Sequence, residues 1–121
     1  MNRQEIGVLG EEVARSFLSN NGFEILETNY RCREGEVDIV ALSGNELVFV
    51  EVRTKTSTGY GSPEESVTCK KMKALRSVAE HYIQNHTGLP EDYRIDFIGV
   101  RMAGNGRLNR IEHIENAVGG D

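Results

Sequence analysis

The sequence predicts a mixed α/β domain with the element order αβββαββ. Two long segments repeat apolar residues every three or four positions, and five shorter runs are rich in β-branched and aromatic residues. Polar stretches, most of them containing glycine, punctuate these runs. The length of 121 residues suits one domain, 1–121, with a single core, since domains commonly run ~100–150 residues.

Arg3 to Asn21 reads as the first helix, with Ile6, Leu9, Val13, Ala14, Phe17 and Leu18 at helical spacing and Gly22 as its stop. Phe23 to Tyr30 is the first strand, and Glu34-Gly35 marks a turn. Val37–Leu42 and Leu47–Arg53 are two further strands joined by Ser43-Gly44-Asn45-Glu46, followed by a polar loop from Thr54 to Gly61. Ser62-Pro63-Glu64-Glu65 carries a Ser cap, a first-turn Pro and a Glu three residues after the cap, which starts a second helix. Val67, Lys71, Leu75, Val78 and Tyr82 continue it, and Gly88-Leu89-Pro90 closes it. Tyr93–Met102 and Leu108–Ile114 form a last strand pair around Ala103-Gly104-Asn105-Gly106.

Composition excludes several classes. A hydrophobic share of 38% is ordinary for a globular chain and argues against a disordered or fibrous one. The net charge of −5 is wrong for a protein that coats nucleic acid by bulk attraction, but it leaves room for a local basic groove. Residues 1–51 carry net −6, residues 52–90 net +3 and residues 91–121 net −2, so positive bias is confined to the middle third. Cys32 and Cys69 show no CxxC spacing and no clustering with histidine, so neither a disulfide framework nor a thiolate zinc site is expected. No apolar run approaches the ~18 residues needed to span a bilayer, and the first residues lack an apolar signal core. The expectation is a cytoplasmic protein with no membrane partner.

The chemistry concentrates in the hairpin. A two-residue loop at Gly44-Asn45 sets Ser43 opposite Glu46, Leu42 opposite Leu47, Val40 opposite Phe49 and Asp38 opposite Glu51. Alternation puts Asp38, Val40, Leu42, Leu47, Phe49, Glu51 and Arg53 on one face, and Val37, Ile39, Ala41, Val48, Val50 and Val52 on the other. Both faces are apolar, so the hairpin should be central and covered on each side. Two carboxylates directly opposed have Cβ atoms ~4.5–5.5 Å apart and repel. They need a cation, a shared proton or a basic neighbour. Arg53 is one such partner; Mg²⁺ or Mn²⁺ on hard oxygen ligands is the other, and spacing alone leaves both open. Glu36 faces Arg53 in this register.

Gly35-Glu36-Val37-Asp38-Ile39-Val40-Ala41, followed by Val48-Phe49-Val50-Glu51-Val52-Arg53-Thr54-Lys55, closely resembles the YraN-like family of small bacterial proteins, assigned to the PD-(D/E)xK nuclease superfamily. Gly7-Val8-Leu9-Gly10-Glu11-Glu12-Val13-Ala14, Asn29-Tyr30-Arg31, Tyr60-Gly61-Ser62-Pro63, Lys71, Arg94-Ile95-Asp96-Phe97 and His113-Ile114-Glu115-Asn116-Ala117 extend the resemblance over nearly the whole chain. It implies a restriction-endonuclease-like fold: a central mixed sheet flanked by helices. It also implies metal-assisted phosphodiester hydrolysis, with Mg²⁺ or Mn²⁺ on Asp38 and Glu51 and Glu11 as the acid that completes the site in resolvase-like members. DNA is the implied partner, and a homodimer follows from resolvase-like pairing of two active sites.

One position departs from the pattern. Residue 53 falls at the superfamily's usual lysine but is arginine, which stays protonated and should not act as a base. Arg53 retains the capacity to grip a phosphate and stabilise developing charge, while Lys55 lies on its face if the strand continues. Lys71 interrupts the apolar stripe of the second helix, either snorkelling from the core or reaching the site. Lys70 and Lys73, spaced with Arg76, either track a phosphate backbone or form a solvated face. Tyr60 either stacks a base or sits in a connector. His81, His86 and His113 show no ligand spacing with one another, which favours surface or core roles. Two rival classes remain: a nucleic-acid-binding module that keeps the fold without efficient catalysis, and a scaffold whose acidic pair is structural.

Overall fold

Helix α1 (Arg3–Asn20) opens with a capping box: the Asn2 side chain accepts the Glu5 N–H at 2.8 Å, and the Glu5 carboxylate accepts the Asn2 N–H at 2.9 Å. Its buried stripe is Ile6, Gly10, Ala14 and Leu18. The computed structural model describes residues 2–56, 68–103 and 105–117. Strands β1 (Glu24–Cys32), β2 (Gly35–Ser43) and β3 (Glu46–Thr56) follow, then α2 (Cys69–Gln84), β4 (Tyr93–Met102) and β5 (Leu108–Ile114). The αβββαββ order is therefore as expected.

The five strands form one sheet in the order β1-β2-β3-β4-β5, parallel between β3 and β4 and antiparallel elsewhere. A parallel neighbour requires a crossover, and α2 lies within it. The β2–β3 register is the expected one, with Ser43 opposite Glu46, Leu42 opposite Leu47 and Val40 opposite Phe49. Gly44 takes φ +60° at the first central position of the turn, a conformation that costs glycine little.

Two cores sandwich the hairpin. On one face α1 covers Ile39, Ala41, Val48 and Val50, joined by Ile98, Val100 and Met102. On the other, Leu75, Val78, Ala79 and Tyr82 of α2 cover Val40, Leu47 and Phe49, joined by Ile95 and Phe97. Helix α1 approaches β3 closely at Gly10, where a Cβ would lie 2.7 Å from Thr54 Cγ2. Only a residue without a side chain fits that crossing.

Three local expectations are corrected. Val37 packs in the α2 core with Val40, not on the Ile39 face. Glu36 pairs with Arg31 at 2.9 Å rather than with Arg53. Thr54 to Thr56 belong to β3 rather than to a loop, because β4 continues to pair them as far as Met102. Helix α2 is capped by Thr68, whose hydroxyl accepts the Lys71 N–H at 3.1 Å. The start expected at Ser62-Pro63-Glu64-Glu65, with Val67, Tyr60 and Gly104, lies outside the described residues.

Candidate functional site

The β2–β3 ladder ends at Ile39 opposite Val50. One step further, an unbroken antiparallel register would give the Val52 N–H to the backbone of Val37. Asp38 takes it instead: Oδ2 accepts from Val52 N at 2.7 Å. The neighbouring strand β1 changes conformation at the same point. Asn29, which faces Asp38 between the Thr28–Ile39 and Tyr30–Val37 pairs, has φ +53°, a left-handed conformation that asparagine tolerates better than most residues. Tyr30 and Val37 beyond it both lie against the α2 core. Beyond this point Val37 shares the α2 side with Val40, and simple alternation does not hold.

Glu51 stands on the α2 side of β3 and is only 4% exposed. Its Oε2 receives Lys71 Nζ at 2.8 Å and an Arg53 terminal nitrogen at 3.2 Å. Lys71 thus reaches the site from α2, which decides between the two roles open to it. Burial and the adjacent Glu51 charge, helped by Glu11 and by a hydrogen bond between the two carboxyls, push the Asp38 acid up to about 7 against the opposing Val52 N–H. Asp38 is thus the acid of the two whose proton is held toward neutral pH. Glu11, on α1, is also raised, by burial first and then, against Arg15, by Glu36 and Glu51. It adjoins the pair, but among the described residues the oxygens of Glu11, Asp38 and Glu51 do not all lie within 4.8 Å of one another.

Glu11 and Arg53 also line a cleft of about 630 Å³ between the first half of α1 and the end of β3, together with Arg3, Gly7, Thr54 and Lys55. The strand's continuation therefore places Lys55 on the same cleft as Glu11. Lys70 and Lys73 point to solvent. Two cations escaped the sequence reading. Arg101 pairs with Lys55 across β3–β4, and Arg110 pairs with Arg101 across β4–β5. With Arg53 and Lys55 they line a hollow that includes Gly99 and Glu112. Arg53 Nε is buried there without a partner among the described residues. The signal was alternation in three strands, but it needs the parallel β3–β4 register, which no turn encodes.

The closing motifs have a different task. Asp96 is fully buried, and its carboxylate accepts Arg94 Nε at 3.0 Å and the Asn116 N–H at 2.8 Å, with His113 Nε2 at 2.8 Å. Burial alone would raise this acid; the bonds from His113, Arg94 and Asn116 outweigh it and hold Asp96 below its ordinary value. Arg94 continues to Glu46 at 2.8 Å and Glu115 at 3.1 Å. His113 therefore has the core role, fastening β4, β5 and the turn after it.

The molecule is thus an α/β protein with an acidic pair set where two central strands part, braced by cations from the sheet and a crossover helix. The family described as "Uncharacterised protein family UPF0102" matches residues 10–100, and the chain belongs to that family, in agreement with the YraN-like resemblance. A UPF0102 protein of Dehalococcoides mccartyi is 47% identical over 118 residues, covering 98% of this chain and 96% of its own. One from Caldicellulosiruptor saccharolyticus is 44% identical over 117 residues, covering 97% and 99%. Among solved structures, Pyrococcus furiosus SfsA in complex with Ca²⁺ is similar at a TM-score of 0.41 and 14% identity, over 93% of this chain and 63% of that one. No helix among the described residues is long and apolar enough to cross a membrane.

Proposed function

We propose that this protein is a metal-dependent nuclease that hydrolyses phosphodiester bonds in DNA. The observation that carries the reading is the Asp38–Glu51 pair at the parting of β2 and β3, with Asp38 accepting the Val52 N–H and Glu51 held by Lys71 and Arg53. The donor set fits a hard dication, because both groups are carboxylates. Asp38 and Glu51 would hold Mg²⁺ or Mn²⁺, with Glu11 beside them. When bound, the ion polarises a phosphoryl oxygen and makes water more acidic.

The chain's own residues do the rest. The Val52 N–H orients Asp38. Lys71 and Arg53 neutralise Glu51, so the buried Glu51 and the half-buried Asp38 coexist. The Arg53 side chain is about one-third exposed and lines both hollows, so its guanidinium is suited to grip a phosphate oxygen. Arg53, Lys55, Arg101 and Arg110 cross three strands and supply a path for a phosphate backbone, which reconciles nucleic-acid binding with an acidic chain.

Duplex, single-stranded and branched DNA should be incubated with the protein in Mg²⁺, in Mn²⁺ and in EDTA. The expected result is cleavage in metal, none in EDTA, and loss of activity in Asp38→Asn. Binding without cleavage in every condition would replace this reading with that of a recognition module. Absence of both binding and cleavage would leave the acidic pair a structural feature.

A further inference from the structure

We propose that Cys32, Glu34 and His81 form a second metal site, suited to a transition-metal dication of the Zn²⁺ class rather than to Mg²⁺. One ligand atom from each of the three side chains lies within 4.8 Å of the others, and no other such trio occurs among the described residues. Cys32 ends β1, Glu34 sits in the turn to β2, and His81 lies in the last turn of α2. Cys32 and His81 are 49 positions apart in the chain, which is why spacing gave no hint of them.

The donor types choose the ion. A thiol, an imidazole and a carboxylate match zinc's borderline softness, and three protein ligands leave a fourth position for water. Two of the three ligands are held in place. Cys32 is fixed by its pairing with Gly35, and the His81 ring by Tyr30, whose hydroxyl lies 2.6 Å from Nδ1. A hydrogen bond to the ring of a ligating histidine is the usual device for orienting it. Tyr30 is itself wedged edge-on against Tyr82 at 5.0 Å. Cys32 and His81 are half-buried while Glu34 is exposed, so the site is reachable from one side. Binding releases the Cys32 thiol proton to solvent and ties the β1–β2 hairpin to α2. The site does not depend on the nuclease reading, since it shares no residue with the Asp38–Glu51 pair.

Cobalt titration of the full chain tests it. A thiolate-to-cobalt absorption band in the near ultraviolet should saturate at one equivalent and disappear when Zn²⁺ is added. Cys32→Ser should abolish the band, and His81→Gln should weaken binding about tenfold or more. Cys69→Ser and Asp38→Asn should both leave it intact. Zn²⁺ should raise the melting temperature of the wild type but not of Cys32→Ser. Should Cys32→Ser fail to fold, the His81→Gln titration decides. No band, or a band indifferent to His81→Gln or carried by Cys69, overturns the proposal.

Discussion

Replacing Asp38 by Asn should stabilise the protein at alkaline pH. The acid moves from an ordinary value of 3.8 to about 7 in the folded state, so between those limits the folded chain binds more protons than the unfolded one. Stability therefore falls as pH rises through this interval, and the cost is fully present above pH 7. At 1.36 kcal/mol for each pH unit, the interval from 3.8 to about 7 gives an upper bound of ~4 kcal/mol. The amide introduced by Asp38→Asn keeps an oxygen for the Val52 N–H and can donate to Glu51, so the geometry survives while the repulsion is removed. Urea unfolding across pH 4 to 9 should show Asp38→Asn close to wild type at the acid end. It should be more stable by at least ~1 kcal/mol at pH 8. Excess Mg²⁺ should recover part of that difference for the wild type only. A wild-type stability that is flat from pH 5 to 8, or a variant no more stable than wild type at pH 8, would overturn this account of the pair.

Gly10→Ala and Gly7→Ala should have opposite signs. The first places a Cβ 2.7 Å from Thr54 Cγ2 and should cost ~1–3 kcal/mol, while the second meets nothing within 4 Å and should gain ~0.5–1 kcal/mol of helix propensity. Denaturant midpoints of the two variants decide it. Asn29→Gly should be nearly neutral, whereas Asn29→Val should lose ~1–3 kcal/mol by forcing a β-branched residue into φ +53°. Arg94→Ala leaves fully buried Asp96 without its guanidinium and should cost ~3–5 kcal/mol in thermal or urea unfolding. The sign of the Asp96 contribution is opposite to that of Asp38. Its value is lowered on folding, so it stabilises above 3.8 and is lost as pH falls below it, which acid titration of unfolding will show.

Much of the site was legible because it is local. A two-residue turn and a period of two suffice to set Asp38 near Glu51, and β3 carries Arg53 and Lys55 along the same strand. Alternation failed two and three residues beyond the last ladder pair, at Val37 and Glu36, because it assumes a continuous strand. Beside that point the neighbouring strand carries a left-handed Asn29, and nothing in the composition of β2 announces the change of face. Lys71 had two readings because a helix period says which residues share a stripe, not where that stripe docks.

Period and turn chemistry within short stretches of chain were enough to specify the order of the seven elements among the described residues, the hairpin register and the proximity of two acids. Other features came from the assembled fold: which cations meet Glu51, how far Asp38 holds its proton, and the extension of the basic path by Arg101 and Arg110. The meeting of Cys32 with His81 is of the same kind. These depend on burial, on a parallel register that no tight turn specifies, and on how α1 and α2 seat on opposite faces of the sheet. Seating of that kind is settled by the packing of both cores together, and no local stretch of chain carries it.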